Sequence, residues 1–103
     1  MKNWILTVED LLARHLLGTL AESEIYKFVR VGDAYRFAEI VMIGCPKHCD
    51  LVEEGEGATS AGNICVSSDS WRMLQWYSQT LGVHATPEDE EALTALLLRP
   101  VKR

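Results

Sequence analysis

The sequence predicts an α+β domain in which an antiparallel sheet of about four strands packs against an N-terminal and a C-terminal helix, in two layers. Three observations carry that expectation. Capped amphipathic helical patterns stand at both ends. A two-residue turn, Gly32-Asp33, separates two apolar runs of strand character. The 103 residues amount to a single domain, 1–103, with little that reads as linker.

The first helix begins at Thr7-Val8-Glu9-Asp10, where a Thr cap is followed three positions on by an acid. Val8, Leu11, Leu12, Leu16 and Leu20 then share a helical face, and Gly18 either stops the helix or sits inside it at a cost of about 1 kcal/mol relative to Ala. His15 falls in the middle of that face, which makes it a core or interface residue rather than a ligand. The hairpin pairs 25–31 with 34–43, and Gly at the first central position suits a type II′ turn. That register sets Phe28 opposite Phe37 and collects Tyr26, Phe28, Tyr35 and Phe37 on one face. Residues 40–43 are apolar on both faces, as in a strand covered on two sides.

Gly44-Cys45-Pro46 breaks the strand, and the acidic, Gly-rich stretch 50–62 reads as turns with one short strand at most. A third strand is expected at 64–66, followed by the turn Ser67-Ser68-Asp69-Ser70. Residues 71–82 fit two templates. Trp71, Leu74, Tyr77 and Leu81 follow a helical period with Gly82 as terminator, while 71–77 as a strand would return antiparallel to 64–66. The final helix starts at Thr86-Pro87-Glu88-Asp89, buries Leu93, Leu96 and Leu97, and stops at Arg99-Pro100.

Composition narrows the function. A net charge of −5, with basic residues scattered rather than striped, argues against a nucleic-acid partner. No apolar run reaches the length of a membrane span, and residues 1–10 do not resemble a signal peptide, so a cytoplasmic protein is expected. Three cysteines, Cys45, Cys49 and Cys65, are then free thiols in a reducing compartment. Large side chains such as Trp4, Trp71 and Trp76 are hard to hide in so small a core, which points to a homodimer.

The densest chemical cluster is Cys45-Pro46-Lys47-His48-Cys49-Asp50. Zinc ligation by Cys45, His48, Cys49 and Cys65 would lack the two paired knuckles of structural sites, so no metal or other cofactor is expected. A redox Cys-x-x-Cys is absent, which weakens thiol chemistry. His48, directly after a strand break, is placed where an acid–base group is exposed to ligand. His84 gives no signal of its own.

The ordered segments Tyr26-Lys27-Phe28-Val29, His48-Cys49-Asp50-Leu51, Gly62-Asn63-Ile64 and Tyr77-Ser78-Gln79-Thr80-Leu81-Gly82 resemble landmarks of the Janus-type phosphohistidine phosphatases. The likeness covers 25–82. It implies that Lys27 neutralises phosphate, that His48 acts as base, and that Cys49, Ser78 and Thr80 supply main-chain donors to the anion. It also favours the strand for 71–77, leading into a phosphate-binding loop. Three features depart from the family pattern. Only residues 51–59 separate the His-x-Asp motif from the Gly-rich stretch, Ser-Ala-Gly-Asn replaces a Gly-rich run ending in Arg, and the helix at 7–18 is extra.

Two functional expectations follow from different premises. The apolar excess, acidic surface and lack of a strong catalytic constellation indicate a non-catalytic binding or interaction domain that self-associates. The alternative is a phosphoryl-handling enzyme with His48 as base and Lys27 as phosphate ligand. Its site would lie at the break after the long strand, facing the loop 77–82.

Overall fold

The computed structural model describes residues 4–15, 24–40, 46–67 and 70–97. Helix α1 (Val8–His15) opens with the expected exchange. The Thr7 amide donates to Asp10 Oδ2 at 2.8 Å, and the Asp10 amide to Thr7 Oγ1 at 3.2 Å. Such a cap stabilises a helix by about 1 kcal/mol. Val8 and Leu11 are buried and Leu12 packs beside them. The alternatives at Gly18, with Leu16 and Leu20, lie outside the described residues. His15 takes a core position, its Nε2 at 2.9 Å from the Tyr26 hydroxyl.

Strands β1 (Glu24–Val31) and β2 (Ala34–Glu39) form the predicted hairpin, with Phe28 opposite Phe37. Gly32 adopts φ of 64°, the left-handed geometry that a II′ turn demands of its first central residue. All four aromatics of the predicted face are buried in one cluster. Continuation of β2 through residues 41–43 falls outside the described residues.

The third strand is longer than 64–66. β3 runs Ser60–Val66 and pairs with β1 along its length, while β4 (Trp71–Gln75) returns antiparallel from Trp71 opposite Val66. Ser-Ala-Gly-Asn has little strand propensity of its own, and continuous pairing with β1 overrides that. Gly62 is required by packing, because a Cβ there would overlap the Gln75 carbonyl oxygen and press on the Phe28 ring. The register shifts between Asn63 and Ile64, and this irregularity opposes Gln75 to Asn63 but Met73 to Ile64.

The four-stranded sheet has the order β2-β1-β3-β4, and β5 (Tyr77–Ser78) with β6 (Val83–His84) makes a second, two-stranded sheet. The alternatives for 71–82 therefore resolve as strand, interrupted at Trp76. Helix α2 (Pro87–Leu97) buries Leu93 and Leu97, with Leu96 packed against them. Its predicted end at Arg99-Pro100 is outside the described residues.

Both helices pack on the sheet face that carries Tyr26, Phe28, Tyr35, Phe37, Ile64 and Val66. The opposite face holds a smaller cluster, in which Leu51 packs on Val29, Ala38 and Ala61. Leu51 ends a 3₁₀ turn, His48–Leu51, that lies over this second face. This two-layer α+β arrangement is the predicted one, with the small second sheet added. No described helix is long and apolar enough to cross a membrane.

Candidate functional site

The face turned away from the helices carries one polar rung. Lys27 on β1 opposes Asn63 on β3, and Asn63 opposes Gln75 on β4. Simple alternation would put Gln75 with Trp71 and Met73 on the core side. The shifted register moves it across, and Asn63 Nδ2 donates to Gln75 Oε1 at 3.3 Å. Asn63 Oδ1 is buried and has no hydrogen-bond partner among the described residues.

One wall above the rung is the 3₁₀ turn. The Asp50 carboxylate accepts the Lys47 amide at 2.9 Å, and the Asp50 amide donates to the Lys47 carbonyl at 3.0 Å. Arg36 holds the far end of the turn. Its Nη1 donates to the Leu51 carbonyl at 2.9 Å, and its fork meets Glu56 with two contacts of 2.7 Å. Those hydrogen bonds are the main reason the Glu56 carboxyl lies well below its ordinary range, at about 2.

His48 enters the site from this wall. The residue is 4% exposed, and its Nε2 lies 2.8 Å from the Gly62 carbonyl oxygen. A carbonyl only accepts, so Nε2 carries the proton and the neutral ring keeps its lone pair on Nδ1. Burial is the leading cause that pulls the imidazole below its ordinary pKa. The Gly62 carbonyl and the nearby Asn63 side chain oppose that shift, and the Lys27 charge adds to it. The ring is therefore neutral at physiological pH, as a general base must be.

The other wall is the turn between β5 and β6. Ser78 is fully buried, and its Oγ accepts the Leu81 amide at 3.2 Å. The Gly82 amide donates to the Ser78 carbonyl at 2.8 Å, with Gly82 at φ of 67°. Thr80 Oγ1 accepts the Cys49 amide at 3.3 Å and so joins the two walls.

Between the walls lies a cavity of about 260 Å³, lined by Lys27, Lys47, His48, Asn63, Gln75, Gln79 and Thr80. Of the residues singled out in the sequence, Lys27, His48 and Thr80 meet here. Ser78 shapes the loop from behind, and the Cys49 thiol is exposed outside the lining. The amides of Cys49 and Leu81 are taken by Thr80 and Ser78. Lys47, Gln75 and Gln79 were not singled out as site residues, and no sequence signal locates Gln75, because the register shift that turns it inward is a tertiary feature.

The electrostatics of the cavity run against those of the chain. No described lining residue is acidic, and neither Lys27 nor Lys47 forms an ion pair among the described residues. Arg14, Arg30 and Arg36 each face a carboxylate within 4 Å. A larger groove of about 630 Å³ beside α2 sets Arg72 among Glu90 and Glu91, and so offers no comparable excess of positive charge. Among the described residues no three His, Cys, Asp or Glu side chains gather to hold a metal, and Cys45 lies outside them. No protein-family model, curated protein or solved structure matches the chain.

Proposed function

We propose that this protein binds the phosphoryl group of a phosphorylated substrate in the cavity between the 3₁₀ turn and the β5–β6 turn, and hydrolyses it with His48 as general base. The carrying observation is the convergence of a neutral histidine and two lysines that form no ion pair among the described residues on one cavity free of described acidic side chains. Lys27 and Lys47 offset the phosphoryl charge. Thr80 and the side-chain amides of Gln75 and Gln79 supply hydrogen bonds. His48 takes a proton from the attacking water as the new O–P bond forms. The same proton passes to the leaving nitrogen or oxygen as its bond to phosphorus breaks. In this reading the chain is a phosphohistidine phosphatase-like enzyme of the Janus type.

Phosphate release from phosphoramidate and from p-nitrophenyl phosphate tests the reading. General base catalysis is worth about 10²–10⁴-fold, so His48→Asn lowers kcat by that range while circular dichroism stays unchanged. Release from neither substrate by the wild type, or equal rates in the variant, removes the catalytic claim.

A separate observation favours the second reading, a binding domain that self-associates. The edge of β2 is covered by the bridge between Leu6 and Phe37, whereas no described strand pairs with the outer edge of β4. Leu74 on β4 and the neighbouring Trp76 and Tyr77 are exposed. An open edge with apolar side chains is a template for a second copy, giving a homodimer. Light scattering at micromolar concentration showing only monomer refutes it. The free thiols of Cys49 and Cys65 favour a reducing, cytoplasmic setting for either reading.

A further inference from the structure

We propose that Lys47 is a specificity residue, selecting ligands that carry a second anionic group beyond the phosphoryl held at Lys27; this rests on the phosphoryl-binding reading of the cavity. The two lysines differ in depth. Lys27 is half-buried in the middle of β1, at the polar rung, whereas Lys47 is exposed on the outer wall. The backbone of Lys47 is fixed by the Asp50 carboxylate, so the long side chain starts from a set point one residue from His48.

Size supports two groups rather than one. A phosphoryl group counted as four or five water-sized atoms of about 30 Å³ each fills roughly half of the cavity. Charge decides what takes the rest. A neutral group would leave Lys47 without an ion pair among the described residues, while an anionic one gains a second ion pair. The ligand class is therefore a bis-anion, a phosphoryl group with a second phosphoryl or a carboxylate close by.

Calorimetric titration with inorganic phosphate and inorganic diphosphate, in metal-free buffer of low ionic strength, separates the cases. Wild type is expected to prefer diphosphate by up to about fivefold, the upper end for a partly exposed charge pair. Lys47→Gln should weaken diphosphate more than phosphate and so abolish most of that preference, since the exposed side chain is the one assigned to the second anionic group. Lys27→Gln should weaken both probes together. Equal binding of the two probes by wild type, or an unchanged preference in Lys47→Gln, overturns the role of Lys47. Binding of neither probe by wild type overturns the phosphoryl site itself and this inference with it.

Discussion

Replacing Asp89 with alanine removes a side chain that does three things at once. Asp89 is fully buried in the first turn of α2. Its Oδ2 accepts the Thr86 amide at 2.9 Å and the Thr86 hydroxyl at 3.0 Å, and its Oδ1 accepts the Tyr35 hydroxyl at 2.8 Å. Loss of the cap costs about 1 kcal/mol. Leaving the buried Tyr35 hydroxyl unsatisfied costs a further 1–3 kcal/mol or so. The sum is about 2–4 kcal/mol, before any change at Arg30, which lies 3.8 Å from Oδ1. Tyr35→Phe removes the donor and should cost about 1.5–3 kcal/mol, the range for a hydrogen bond to a charged acceptor. The double variant should fall short of the sum of the singles by at least about 1 kcal/mol, because both delete the same bond. Urea unfolding followed by tryptophan fluorescence measures all four corners of the cycle. Burial alone would raise the Asp89 carboxyl, but the hydrogen bonds from Tyr35 and Thr86 outweigh it and hold the pKa below its ordinary 3.8. A depressed carboxyl contributes stability at higher pH and loses it as pH falls below that ordinary value. The alanine variant should therefore lose part of the acid sensitivity below about pH 4. A coupling near zero, or an unaltered acid profile, refutes the reasoning.

Gly62→Ala should destabilise by about 1–3 kcal/mol and weaken phosphate binding, because the added Cβ forces β3 from Gln75 and carries the carbonyl that anchors His48 with it. An unchanged denaturation midpoint would contradict the close approach. Leu51→Ala removes the buried anchor of the 3₁₀ turn and should cost about 2–5 kcal/mol in chemical denaturation. Loss of phosphate affinity well beyond the fraction unfolded is expected as the His48 wall loosens. Glu56 lies at about 2 in the fold against an ordinary 4.5, so its contribution is present above 4.5 and lost as pH falls towards 2. Glu56→Gln should flatten the stability profile in that window, and parallel acid-unfolding curves would show that the Arg36 clamp contributes nothing.

The hairpin and both helix starts were legible because each is written in local chemistry. Gly32 supplies the turn, and Thr7 with Asp10 and Thr86 with Asp89 supply matching reciprocal caps. The depth of Asp89 was not legible, since an acid in a first turn is ordinarily solvated and it is long-range neighbours, Tyr35 and Arg30 among them, that surround this one. Ser60 to Asn63 hid as strand for the same kind of reason, their propensity being poor and their pairing non-local. The site divides along that line. Lys27, His48 and Thr80 sit on motifs readable in order along the chain. Gln75 reaches the cavity through a register shift, and Lys47 through a turn held by Asp50, Arg36 and Glu56. The Cys49 amide, read as a donor to an anion, is taken by the Thr80 hydroxyl of the facing turn, and the Ser78 hydroxyl engages the Leu81 amide within its own turn.

The most direct test of an anion-binding, base-competent His48 is the pH titration of its ring nitrogens by NMR, with and without inorganic phosphate. Free protein should show the proton on Nε2, a lone pair on Nδ1, and a pKa below the ordinary 6.5. Saturating phosphate should raise that pKa, because a neighbouring anion favours the imidazolium. A ring that titrates at or above its ordinary value in the free protein, and does not respond to phosphate, would contradict the proposed site.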